Sequence, residues 1–182
     1  MPMPQEKYYT VDDFYNMPDD IRAELIEGQI IFMASPSTQH QRILSRLHIA
    51  IGNYINAKGG KCEVFPAPFG VQLHKNKDTI VEPDISVICD PNKLTERGCI
   101  GAPDWIVEIT SPSNPSHDYI TKLSLYSAAG VSEYWIVDPQ SRQIHVYYMK
   151  PNSFQLKSYS FKESIQVGIY NDFTINLATF GL

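Results

Sequence analysis

The stretch DWIVEIT, residues 104–110, most constrains what this chain can fold into. Its β-branched and aromatic residues predict a central strand covered on both faces, since such strands read as near-continuous apolar runs. Glu108 interrupts that run. An unpaired carboxylate in such a place costs several kcal/mol, so Glu108 requires a metal ion, a cationic neighbour or a raised pKa. A salt bridge inside the core is the plain structural explanation, and a metal site is the functional one.

Upstream, VEPDISVICD places Asp84 near the head of another apolar strand, read as Ile80 to Cys89, with Pro83 biasing Glu82 towards extended geometry. An Asp at a strand start often does no more than hydrogen-bond its own turn. Paired with Glu108 at a facing strand end, it makes a hard-oxygen site suited to Mg2+ (or Mn2+), which takes one or two carboxylates and keeps several waters. The backbone carbonyl of Ile109 could complete the protein's share. Such an ion polarises a phosphoryl oxygen and acidifies a bound water. Lys122, in the helix that follows, could orient that water or balance charge on the transition state. Its ordinary role would be an i, i+4 pair with Asp118 on a solvated face.

The surrounding pattern alternates strands and helices. Residues 1–6 are expected to be disordered. Thr10 caps a short helix from Val11 to Asn16. RAELIEGQIIFMA reads as a hairpin turning at Glu27-Gly28, with Glu24 in its first, half-buried arm. Ser37 or Thr38 caps a helix from about Gln39 to Ala57, where Ile43, Leu47, Ile51 and Ile55 keep helical spacing and Gly59-Gly60 stops it. Residues 61–78 are extended, as an edge strand or two short ones, and residues 91–103 are a loop with room for a brief helical turn. Asn114 caps, and Pro115 opens, the helix carrying Lys122, which Gly130 ends. Glu133 to Asp138 and Gln143 to Met149 are strands, and the tail adds weaker ones, including a surface strand near Ser164 to Val167. Together these predict a single α/β (α+β) domain over residues 1–182, a mixed central sheet flanked by helices.

Composition narrows the function classes. A formal net charge of −5 argues against strong nonspecific DNA binding, which needs clustered cations. It leaves nucleic acid possible where a divalent cation supplies the positive charge. Three cysteines without CxxC spacing predict neither structural zinc nor a disulfide framework. No signal-peptide pattern and no long apolar run appear, so a reduced cytoplasmic setting without a membrane is the expectation. His48, His74, His117 and His145 lack metal-ligand spacing, and His40 reads as a histidine opening a helix, with a capping or phosphate contact as the alternative. Tyr126, Tyr134 and Trp135 read as core residues.

Taken together, RAELIEGQIIFMASPSTQH, VEPDISVI, DWIVEITSPSN and DYITKLSLYSAAGVSEYWIVDP resemble the Uma-two family of "putative restriction endonucleases", within the PD-(D/E)XK nuclease superfamily. The resemblance covers about residues 8 to 150. It implies a restriction-endonuclease-like fold and a metal-dependent endonuclease acting on DNA, with Asp84 and Glu108 as ligands and Glu24 as an additional acid near the ion. It also implies a departure: Thr110 stands where the superfamily motif has lysine, and the lysine is displaced to Lys122. A possible homodimer would suit double-strand cleavage. The competing reading is a non-catalytic module binding nucleic acid or protein on the same fold, which the acidic charge and Thr110 favour.

Overall fold

Local capping and turn chemistry set the first elements. The computed structural model describes residues 7–18, 20–111, 117–151 and 153–181. The expected disorder of residues 1–6 and the helix start at Asn114-Pro115 lie outside them. Helix α1 (Val11–Tyr15) is held by a reciprocal capping box between Thr10 and Asp13. A two-residue turn with Glu27 and Gly28 both at positive φ (49° and 79°) joins β1 (Ala23–Ile26) to β2 (Gln29–Phe32). Helix α2 (Thr38–Lys58) begins at the Ser37 cap and stops at left-handed Gly59. Ile43, Leu47, Ile51 and Ile55 make its buried face.

Extended segments then build two six-stranded sheets. The shorter strands are β3 (Glu63–Pro66), β4 (Val71–Gln72), β5 (Ile80–Val81), β6 (Ile85–Ile88), β7 (Leu94–Thr95) and β8 (Gly98–Ile100). The longer ones are β9 (Trp105–Ile109), β10 (Glu133–Asp138), β11 (Gln143–Lys150) and β12 (Ser153–Ser160). One sheet runs β2-β1-β5-β4-β8-β7 and the other β12-β11-β10-β9-β6-β3. In the second, β9 and β10 are parallel and all other pairs antiparallel. The β9–β10 connection contains a π-helical turn (His117–Lys122) and helix α3 (Leu123–Ala129), ended by left-handed Gly130. The fold is α+β with mixed sheets.

The second sheet divides the core in two. On one face Trp105, Val107, Trp135 and Val137 pack with the buried face of α2. On the other, Ile106, Tyr134 and Ile136 pack with Tyr126 of α3. Strand side chains alternate, so Glu108 shares the face of Ile106 and points towards the α3 side.

Four expectations need correction. The strand read as Ile80 to Cys89 is two strands in different sheets. Pro83 has no N–H to give a ladder, so pairing breaks at Glu82-Pro83-Asp84 and the chain passes from one sheet to the other there. Residues 91–103 hold the brief helical turn allowed for there, a 3-10 turn (Pro91–Lys93), but also the β7–β8 hairpin, which the loop reading lacked. The strand near Ser164 is β13 (Ile165–Gln166), paired with β14 (Thr174–Ile175), and only one of its faces is on the surface, where Ser164 and Gln166 are exposed. Ile165 and Val167 are fully buried against the α2 side. Finally, Cys62 and Cys89 form a disulfide. The register that pairs Glu63 with Ile88 brings these two residues together one step further along, which sequence spacing could not reveal. Cys99 is a buried thiol.

Two measurements check this architecture. Alkylation of the denatured, unreduced chain should add one adduct, at Cys99, and prior reduction should allow three. Glu133 offers a pH test. It is 1% exposed. Burial raises its carboxyl above the ordinary value of 4.5, against the lowering effect of N–H groups from Gly168, Trp135 and Ile169. Folding therefore favours the protonated acid. The wild type should lose stability relative to Glu133→Gln as pH rises from about 4.5 through the raised folded value, as read by chemical denaturation.

Candidate active site

Continuing the β6–β9 register by one step sets Asp84 directly opposite Glu108, because Ile85 pairs with Val107. Asp84 lies one residue before the β6 ladder, so the pairing brings it opposite Glu108 and leaves its carboxylate to be oriented by other groups. The Asp84 N–H points at Glu108 Oε2, 3.4 Å away. The Ile109 N–H donates to Asp84 Oδ2 at 2.7 Å, in place of a further ladder bond.

Glu24 arrives from the other sheet. β1 is buried along its whole length, and Glu24 is 2% exposed. Its Oε1 accepts from the Glu82 N–H at 2.9 Å, at the point where the chain crosses between sheets. Lys122 arrives from the π turn before α3. Its Nζ lies 2.8 Å from Glu108 Oε1 and 3.0 Å from Glu24 Oε1. Tyr126 follows four residues later, on the same helical face, and its hydroxyl donates to the same Glu108 oxygen at 2.7 Å. Burial, then the Glu108 and Glu24 charges, push the Tyr126 hydroxyl well above its ordinary pKa, so it stays a phenol and a donor.

The fifth charged group is His40, in the first turn of α2. Its Nε2 lies 3.0 Å from Asp84 Oδ2, and a carboxylate only accepts, so Nε2 carries the proton. Nδ1 faces Gln41 Oε1 at 3.3 Å. Burial alone would lower the ring's pKa. The Asp84 carboxylate, Gln41 and the Ile109 backbone outweigh it and hold the ring above its usual value. Three carboxylates thus meet one fixed cation, Lys122, and the His40 ring, a balance that favours a further positive charge.

Asp84, Glu108, Ile109, Glu24, Lys122 and His40 line one cleft of about 470 Å3, with Arg22, Phe32 and Ser111 among its walls, while Tyr126 is fully buried and outside that lining. A larger open groove of about 870 Å3 runs beside Tyr119, Leu123, Met149 and Phe154 and contains none of the carboxylates. Among the described residues, no three His, Cys, Asp or Glu side chains converge as a ready-made metal cage. A hard divalent cation does not require one, because it takes one or two carboxylates and fills the rest with water and substrate oxygens. Oδ1 of Asp84 makes no hydrogen bond among the described residues and belongs to a residue lining the cleft. This donor set fits such an ion.

The fold thus brings together Asp84, Glu108, Glu24, Lys122 and the Ile109 backbone, the residues singled out in the sequence. His40 and the Tyr126 hydroxyl were not among them. Tyr126 is a core residue, as read, but the i, i+4 spacing from Lys122 was the available signal for its polar end. For His40 the signal was its place in the block ASPSTQH. No periodicity links it to Asp84, 44 residues away.

The model of the Uma2 family, described as "Putative restriction endonuclease", matches residues 11–178. An uncharacterized protein of Synechocystis sp. is 32% identical over 126 residues, or 69% of this chain and 65% of that protein's own length. The crystal structure of a protein from Anabaena variabilis, described as a putative nuclease belonging to DUF820, superposes with a TM-score of 0.77. That match is 22% identical and covers 94% of this chain and 96% of the other. The fold is restriction-endonuclease-like.

The ion-pair geometry makes a stability prediction independent of function. Lys122→Met leaves Glu24 and Glu108 buried without their ammonium, a change that costs about 3–5 kcal/mol. Denaturant unfolding at neutral pH should show that loss. It should shrink in acid, where protonated carboxyls no longer need the cation.

Proposed function

The chain belongs to the Uma2 family, and from that premise we propose that it is a divalent-metal-dependent nuclease that hydrolyses phosphodiester bonds in DNA. The observation carrying this reading is the Asp84–Glu108 pair, set face to face across two strands and opening on the cleft that also holds Lys122. Two acids and an ammonium on a nuclease-like scaffold are what phosphodiester hydrolysis requires of a protein.

In this reading Asp84 and Glu108 hold Mg2+ or Mn2+, with the Ile109 carbonyl as a backbone ligand. Bound there, the ion supplies Lewis acidity to a phosphoryl oxygen and a water of lowered pKa. Glu24 acts through Lys122: it accepts from the Glu82 N–H and shares the ammonium with Glu108, so it fixes where that charge sits. Lys122 lines the same cleft, where its charge would offset the negative charge that builds up in the transition state. Its four-carbon stem reaches from a helix to the place that Thr110 leaves without a cation. Tyr126 keeps Glu108 Oε1 oriented. With a net charge of −5, DNA affinity depends on the bound ion and on local cations such as Arg22. Two copies acting together would suit cleavage of both strands.

Incubation of plasmid or branched DNA with the purified protein and Mg2+ or Mn2+ tests the reading. Nicking or cutting is expected with metal and none with EDTA. Asp84→Ala and Glu108→Gln should each lower the rate by at least about 100-fold, the scale of losing one group that stabilises charge in a transition state. Equal activity in Asp84→Ala and the wild type would remove the site. Calorimetry that detects no Mn2+ binding at millimolar metal would favour the non-catalytic reading.

A further inference from the structure

We propose that His40 is a positioning residue for Asp84: it holds Oδ2 so that Oδ1 is the oxygen presented to the divalent cation. The proposal rests on the reading of Asp84 as a metal ligand. Asp84 stands at the break between β5 and β6, outside either ladder, so strand pairing does not fix its carboxylate. Two donors meet on one of its oxygens. The Ile109 N–H reaches Oδ2 from β9 at 2.7 Å, and His40 Nε2 reaches it from α2 at 3.0 Å. A single donor would let the carboxylate pivot about that atom. Two donors from different elements determine its plane and leave Oδ1 for a ligand.

The imidazole is itself held in place. His40 is 8% exposed, its backbone N–H donates to the Ser37 cap at 3.1 Å, and its Nδ1 faces Gln41. It is therefore part of the 21-residue helix's first turn rather than a loose surface group. The plain alternative is that His40 only ties α2 to the sheet. The two roles differ in what they do to metal affinity. Removing the partner that orients a ligand weakens metal binding by about 10–100-fold. Removing a tie between elements lowers stability and leaves the affinity of the folded protein alone.

The test uses the full chain freed of metal and titrated with Mn2+, read by calorimetry or by the electron-spin resonance of free Mn2+. Thermal melts in EDTA confirm that each variant is folded. His40→Leu should bind Mn2+ about 10–100-fold more weakly. His40→Gln, which keeps an N–H donor at similar reach, should recover most of that loss. If the leucine variant does not fold, His40→Asn takes its place, since it keeps the amide but falls short of Asp84. Affinity equal to wild type in the donor-less variant, or equal weakening in Gln and Leu, overturns the proposal. Absence of Mn2+ binding by the wild type overturns the metal reading beneath it, an outcome visible before any variant is made.

Discussion

Everything at the site depends on one electrostatic requirement: Glu108 is 4% exposed in the middle of an apolar strand and must be compensated there. Lys122 and Tyr126 supply the compensation through a single oxygen. Because Lys122 also binds Glu24, the same ammonium connects β9, the turn before α3 and the N-terminal hairpin. Three segments distant in sequence are thereby fixed relative to one another. The charges are too deeply buried to be screened by water, so losing one leaves the others exposed to the full cost of burial.

The break at Glu82-Pro83-Asp84 has the complementary role. Pro83 ends one strand and begins the approach to the next, and in doing so moves the chain from one sheet to the other. The Glu82 N–H, released from ladder pairing, serves Glu24, and the Asp84 side chain, free of the pleat, takes donors from β9 and α2. The irregular backbone needed to change sheets also supplies the unpaired groups that assemble the cleft. Sequence-level rules fail at this point for a reason: the continuous strand that apolar content suggests would have put Asp84 inside a ladder.

Much of the framework was legible in the chain. The caps at Thr10 and Ser37, the Glu27-Gly28 turn, the buried face of α2 and the strands β9, β10 and β11 follow local signals, because each depends on neighbours within a few residues. The hairpin in residues 94–100 did not, since two- and three-residue strands carry too little periodicity to register, and for the strand near Ser164 the sequence located the strand but not its buried face. The Cys62–Cys89 bridge was illegible for another reason: only strand register places those residues side by side.

For the site, the sequence by itself determined which groups could not be bystanders. A glutamate within WIVEI, an aspartate after Pro83 and a lysine in a helix just beyond carry that information because burial makes each of them costly alone. Tertiary structure decided the pairing. It set Lys122 between Glu24 and Glu108 rather than on a solvated face, and it brought His40 from the start of α2 onto Asp84. Those choices depend on how two sheets and two helices meet, and contacts of that range leave no trace in local spacing.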